Sequence, residues 1–121
     1  MKENIILEKS FQFAVMVVKL YQQLTSEKKE FILSKQFVRS GTSIGANIEE
    51  ATGGCSKKDF IAKFHIAFKE ARETSYWLKL LIATGYVNEA NSELIRNKLD
   101  EILKIITSIL KSSKGELRIN N

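Results

Sequence analysis

The 121-residue chain contains no proline, one cysteine and one histidine. The absence of proline favours long uninterrupted helices, because β-sandwiches and α/β proteins of this size commonly use proline in turns. A single cysteine excludes an internal disulfide and suits a reducing compartment. One histidine and one cysteine are too few for a structural zinc site within one chain.

Long apolar runs are also missing. The run at residues 5–7 is too short for the core of a signal peptide, and no run approaches the roughly 18 apolar residues of a membrane span. No Walker loop or dinucleotide fingerprint occurs, since the two glycines at positions 53 and 54 read as a helix break. We therefore expect a cytoplasmic protein with no metal, no cofactor and no membrane partner.

The composition is that of a soluble globular protein. Hydrophobic residues make up 44% of the chain and charged residues 27%, and the formal net charge is +5. A chain of this length predicts a single domain over residues 1–121, with flexible ends at 1–8 and 114–121. The mild basic excess permits an acidic partner such as RNA without requiring one.

Apolar periodicity predicts four helices. They run from about residue 10 to 24, from 27 to 52, from 57 to 84 and from 88–92 to 113. Ser56 and Asp59 form a capping-box pattern before the third helix, and Gly85 closes it. Because the connections are short, consecutive helices should be antiparallel neighbours. The sequence thus predicts an all-α, antiparallel up-down-up-down four-helix bundle.

Helix one carries apolar residues on two nearly opposite faces. The first face comprises Phe11, Ala14, Val15, Val18 and Tyr21, and the second comprises Phe13, Met16, Val17, Leu20 and Leu24. Only one face can meet the core of a small bundle, so the other needs a further partner. We expect Phe13, Met16, Val17 and Leu20 to form a homo-oligomer interface. The alternative is that residues 5–7 or the C-terminal tail fold over this face.

Small residues interrupt helix two at Gly41, Ser43, Gly45 and Ala46. Each interior glycine costs a helix about 1 kcal/mol relative to alanine, so a compensating contact is expected. A residue without Cβ lets two backbones approach closely. These positions therefore predict a close helix–helix crossing.

Several segments resemble a known bacterial family. They are KSF at 9–11, SKQ at 34–36, RSGTSIGAN at 39–47, SKKDF at 56–60, KEARE at 69–73 and YWL at 76–78. The family is that of the four-helix bundles first noticed as products of intervening sequences in large-subunit ribosomal RNA genes. The resemblance covers helices one to three and fades in helix four.

The resemblance implies an antiparallel bundle that assembles into a ring, commonly of five subunits. A related accessory protein of diversity-generating retroelements forms such a ring and works with a reverse transcriptase and nucleic acid. The resemblance thus implies a homopentamer, with single-stranded RNA or DNA and a reverse transcriptase or another protein as partners. The biochemical role of most members is unassigned.

Helix three carries a stripe of polar residues opposite its core-facing side. The stripe comprises Lys58, His65, Lys69, Arg72, Tyr76 and Lys79. Cations along a helix can follow a phosphate backbone, and Tyr or His can stack on an unpaired base. The alternative is a solvated face whose charges only maintain solubility. Glu70 and Glu73 lie nearby and weaken the positive field.

Helix two carries a polar line of Arg39, Ser43, Asn47 and Glu50. Either Arg39 reaches a phosphate, or it pairs with an acid such as Glu73 or Glu50 inside the bundle. The pairing interpretation is favoured because Glu73 lies between two large apolar residues of helix three.

Catalysis is not indicated. Cys55 precedes a helix N-terminus, where a thiol pKa can fall, but His65 lies nearly three turns along the same helix and no oxyanion donor is identifiable. Two functions stay open: a non-enzymatic nucleic-acid-binding ring, and a ring-forming scaffold that recruits a protein partner.

Overall fold

The computed structural model describes residues 2–54 and 56–120, which form an antiparallel four-helix bundle. Its helices are α1 (Lys2–Ser26), α2 (Leu33–Ala51), α3 (Lys57–Ala83) and α4 (Glu93–Asn120), with a 3₁₀ turn at Ala90–Ser92 before α4. No strand occurs among these residues. Each helix packs on two neighbours, α1 on α2, α2 on α3, α3 on α4 and α4 back on α1. The all-α prediction is confirmed.

The core is built from the apolar seams that the periodicity predicts. The seam of α4 is at most 5% exposed throughout, and comprises Ile95, Leu99, Ile102, Ile106 and Ile109. Phe37, Ile44 and Ile48 from α2 and Phe64 from α3 are fully buried beside it. Within the described residues, no helix combines the length and apolar character that crossing a bilayer requires.

The boundary predicted between helices one and two is wrong. Helix α2 begins at Leu33 and not near residue 27, because Lys29 adopts a left-handed conformation with φ 55° that ends helical geometry. The Glu30 carboxylate then accepts hydrogen bonds from the backbone N–H groups of Ile32, Leu33 and Ser34. An acidic side chain thus caps α2 where no Ser, Thr or Asn is available.

The outer ends of the bundle are more helical than the sequence indicates. Helix α1 begins at Lys2 and not near residue 10, and Ile6 in its second turn is fully buried. Helix α4 continues to Asn120, past the end predicted near residue 113. The caps of α3 are as predicted: Ser56 Oγ accepts from the Asp59 N–H at 3.2 Å, and Gly85 has φ 85°. 

The predicted close crossing lies between α1 and α2. A Cβ added at Gly41 would stand 2.7 Å from Val17 Cγ1, and one added at Gly45 would stand 3.4 Å from the Ser10 carbonyl oxygen. The other two small residues do not share this role. Ser43 accepts a hydrogen bond from Asn47 within α2, and Ala46 is exposed.

Candidate nucleic-acid interface

The helix-three stripe lies on the outer surface of α3. Lys58, Lys69, Arg72 and Lys79 are exposed, and Tyr76 is 57% exposed. His65 is half-buried towards α4. The opposite side of α3 carries the buried positions of the helix, so its amphipathic pattern turns the stripe to solvent.

Within the described part of the chain, no acid neutralises the cations of the stripe. Among the described residues, none of the four forms an ion pair, and the Arg72 guanidinium lies 6.0 Å from the Phe68 ring centroid. The two neighbouring acids of α3, Glu70 and Glu73, both pair with Arg39 on α2. Their carboxylates are therefore directed towards α2, and they weaken the stripe's positive field less than the linear sequence suggests.

Helix α4 extends the basic surface at one end of the stripe. His65 and Phe68 line a groove of about 240 Å³ together with Leu110, Lys111 and Lys114 of α4. These two lysines cannot be assigned to the stripe from the pattern of either helix alone, because they belong to a different helix. The predicted antiparallel pairing of α3 and α4 could have indicated them, since it places the end of α4 beside the first half of α3.

A second α3–α4 groove, of about 450 Å³, lies at the other end of the stripe and includes Lys79. Arg96 lines it from α4 and donates to Ser92 Oγ at 3.0 Å and to the Glu89 carbonyl oxygen at 3.2 Å. The stripe thus runs between two grooves. This second groove has no signal in the sequence, because its walls come from residues far apart in the chain.

The aromatic member of the stripe is held in place from one side. Tyr76 packs edge-on against Trp77, with ring centroids 5.1 Å apart and an interplanar angle of 73°. More than half of the Tyr76 surface stays exposed to solvent, at 57%. An ordered, exposed aromatic ring between Arg72 and Lys79 is suited to stacking on an unpaired base.

The polar line on α2 is a structural network, as favoured above. Arg39 donates to both Glu73 and Glu70 of α3, the latter at 3.3 Å. Glu50 pairs instead with Lys63 at 3.1 Å, and Asn47 donates to the Ser43 carbonyl oxygen within its own helix. These contacts tie α2 to α3 and leave Arg39 engaged by acids of its own chain.

Two of the four residues predicted to form an oligomer interface, Phe13 and Val17, are buried inside the single chain and cannot lie between copies. Phe13 and Val17 are 1% and 0% exposed within the single chain, and Met16 and Leu20 pack half-buried against the same core. The face of α1 opposite them is the one left open, with Phe11 70% exposed. The reason is the close approach of α2, since the missing side chain at Gly41 accommodates Val17.

The described residues offer no cluster of side chains for metal binding. No group of three or more His, Cys, Asp or Glu side chains converges among them. Cys55, considered above as a nucleophile, lies outside the described residues.

A protein-family model described as the 23S rRNA-intervening sequence protein matches residues 2–108. The chain belongs to this family. The match extends through most of α4, further than the motifs quoted above, and it includes every residue of the stripe. A search of curated proteins gives no significant match.

A solved family member has the same architecture. It is a protein of unknown function from the S23 ribosomal protein family of Bacteroides thetaiotaomicron, whose crystal structure was determined at 1.70 Å resolution. The two chains are 54% identical with a TM-score of 0.89, and the match covers 92% of this chain and 99% of the other. Membership in this family therefore establishes the bundle and leaves the biochemical role to be argued from its surface.

Proposed function

We propose that this protein is a non-enzymatic homo-oligomer that binds single-stranded RNA or DNA through the stripe on α3. The observation that carries the proposal is the row of exposed cations with no acid partner among the described residues. Affinity of this kind comes from neutralising phosphates and releasing counterions. It reads the backbone, so sequence preference is slight.

Self-association is proposed from the open face of α1. Phe11, Val15 and Val18 are 70%, 39% and 37% exposed on this face, with Ala14 between them. Contiguous apolar surface of this kind commonly marks a contact with another protein. The family resemblance favours a ring of five copies. Such a ring would repeat the stripe about its axis, so weak phosphate contacts would add through multivalency.

The test of the stripe is a triple variant in which Lys69, Arg72 and Lys79 are all changed to glutamine. Wild-type protein is expected to bind a single strand of about 20 nucleotides at about 50 mM salt and to lose much of this affinity by about 200 mM. The triple variant should lose binding at both concentrations, because the three charges that contact phosphates are gone. Fluorescence anisotropy with labelled RNA and DNA measures the effect.

The matched control replaces Lys28, Lys29 and Lys35 with glutamine. These exposed lysines lie in the α1–α2 loop and on α2, so the control removes the same charge from another surface. It should retain nearly full affinity. Equal binding by the triple variant and wild type would show that the stripe is only a solvated face.

A second candidate function is a ring-forming scaffold that recruits a protein partner, such as a reverse transcriptase. It is favoured by the α1–α2 loop, where Phe31 and Ile32 are 59% and 76% exposed. Two adjacent exposed apolar residues provide a contact for another protein. No binding of wild-type protein to RNA or DNA at low salt would replace the first proposal with this one.

A further inference from the structure

The groove at the Lys79 end of the stripe has walls of mixed chemistry. Ile82, which is half-buried, and Ala83, which is exposed, supply its accessible apolar side chains, whereas Leu78 and Leu99 also line it but are each only 2% exposed. Its polar lining includes Lys79, Arg96, Asn97 and Asp100. A concavity of about 450 Å³ that combines apolar surface with several polar groups can hold a small ligand.

Arg96 is held in a fixed orientation at this groove. Its Nε donates to Ser92 Oγ and its Nη2 donates to the Glu89 carbonyl oxygen, both at the turn that precedes α4. Neither acceptor is an acid, and Nη1 has no hydrogen-bond partner among the described residues. The guanidinium therefore keeps a donor and its full charge for a ligand.

The charges around the groove are balanced. Lys79 and Arg96 contribute two cations, and Glu89 and Asp100 contribute two carboxylates. A bare anion gains little from such a lining, since the acids oppose it. A neutral heterocycle suits it better, because apolar walls contact the ring while amide and carboxylate groups pair with its edge.

From this arrangement we infer that the groove receives an unpaired base of the bound strand, whose phosphates lie along the stripe. Asp100 accepts from an amino group of the base and Arg96 Nη1 donates to an acceptor atom on its edge, while the flanking phosphates stay on the stripe outside the groove. The inference rests on the proposed nucleic-acid function and adds a base-binding subsite to it. Because a carboxylate only accepts hydrogen bonds, the subsite favours bases that carry an amino group, such as cytosine and adenine.

The test compares an oligodeoxycytidine with an abasic strand of the same length and phosphate number. Wild-type protein should bind the oligodeoxycytidine about tenfold more tightly than the abasic strand. Only the oligodeoxycytidine gains a charge-assisted hydrogen bond and a base contact, which account for a difference of this size. Asp100→Ala should remove most of this preference. It should also bind the abasic strand no worse than wild type, since it loses a negative charge.

Two control variants distinguish base binding in this groove from a general charge effect and from stacking on Tyr76. Glu27→Ala removes one exposed negative charge from the α1–α2 loop and should leave the preference unchanged. Tyr76→Ala tests whether stacking on the stripe accounts for the preference instead. Circular dichroism and thermal melting of each variant show whether the bundle is intact.

The outcomes are distinguishable. If neither strand binds, the proposed function itself fails. If both strands bind equally, or if the preference survives Asp100→Ala and disappears in Tyr76→Ala, the groove is not a base subsite although the stripe still binds phosphates. Loss of the preference in Asp100→Ala alone supports the subsite.

Discussion

At the residue scale, Glu30 shows how a charged side chain can be buried at a helix end. It is only 8% exposed, and its two carboxylate oxygens accept three backbone N–H groups at 2.7–3.1 Å. Burial by itself raises the pKa of Glu30, but the hydrogen bonds from Ser34, Leu33 and Ile32 together bring that pKa below its ordinary value. The folded protein therefore favours the ionised carboxylate, which also faces the positive end of the α2 dipole.

Glu30→Gln should destabilise the protein by about 1–2 kcal/mol at neutral pH, because an amide offers one acceptor oxygen and no charge. A lowered folded-state pKa stabilises the native state above the ordinary pKa, and that contribution is lost as the pH falls through the lowered value. The difference in the free energy of unfolding between wild type and Glu30→Gln should therefore become smaller below about pH 4. Urea unfolding between pH 3 and pH 7 measures it.

Glu27→Gln is the control for this prediction, since Glu27 lies in the same loop and is exposed. It should change stability by no more than a few tenths of a kcal/mol. A constant difference between Glu30→Gln and wild type across the pH range would contradict the ionised cap.

At the scale of elements, two glycines of α2 lie at its crossing with α1, and they differ in how much space they leave for a side chain. The Cβ position at Gly41 conflicts with Val17, which is completely buried and β-branched, so it cannot rotate away. The Cβ position at Gly45 is in ordinary contact distance of the Ser10 backbone. Only Gly41 must be a glycine, because a side chain at that position would clash with α1.

Gly41→Ala should destabilise the bundle by about 1–2 kcal/mol net, since overpacking costs more than the roughly 1 kcal/mol gained in helix propensity. Gly45→Ala is the matched control and should be neutral or stabilising. Gly45→Leu should destabilise by a few kcal/mol, because its branched end must displace α1. Thermal melting checks the relative stabilities of the three variants. A melting temperature raised by Gly41→Ala would show that α1 and α2 are not in close contact at Gly41.

At the scale of the whole molecule, the bundle separates two surfaces. The apolar face of α1 and the stripe of α3 lie on helices that both pack mainly against α2 and α4, so the two helices are diagonal in the bundle and their outer faces point to opposite sides. Contact between copies through α1 therefore leaves the stripe of every subunit accessible. This arrangement lets one oligomer bind a strand at several places.

Phe11→Glu should dissociate the proposed oligomer, because it introduces a charge into an apolar contact between copies. The monomer should stay folded, since Phe11 is 70% exposed in the single chain. Light scattering should give a mass near 13.8 kDa for the variant and a multiple of it for wild type. The dissociated variant should also bind nucleic acid more weakly through lost multivalency.

Ile32→Glu is the matched control, because it places the same charge on an exposed apolar residue of the α1–α2 loop. It should leave the mass unchanged. A wild-type mass equal to that of the monomer at micromolar concentration would overturn the proposed self-association.

The sequence alone determined what repeats at helical spacing. The apolar seam of α4, the Ser56 cap, the Gly85 stop and the outward stripe of α3 were all predictable, because each depends on residues within a few turns of one another. The pairing of Arg39 with Glu73 was also favoured by the sequence, because Glu73 lies between two large apolar residues of helix three.

Only the tertiary structure decided which face of α1 is covered and where α2 begins. Both faces of α1 are apolar, so periodicity could not choose between Phe11 and Val17; the space left by Gly41 did. The start of α2 depended on the left-handed Lys29 and the buried Glu30 carboxylate, which no helical period indicates. The two α3–α4 grooves arise because antiparallel packing brings distant residues together, and that proximity exists only in the folded chain.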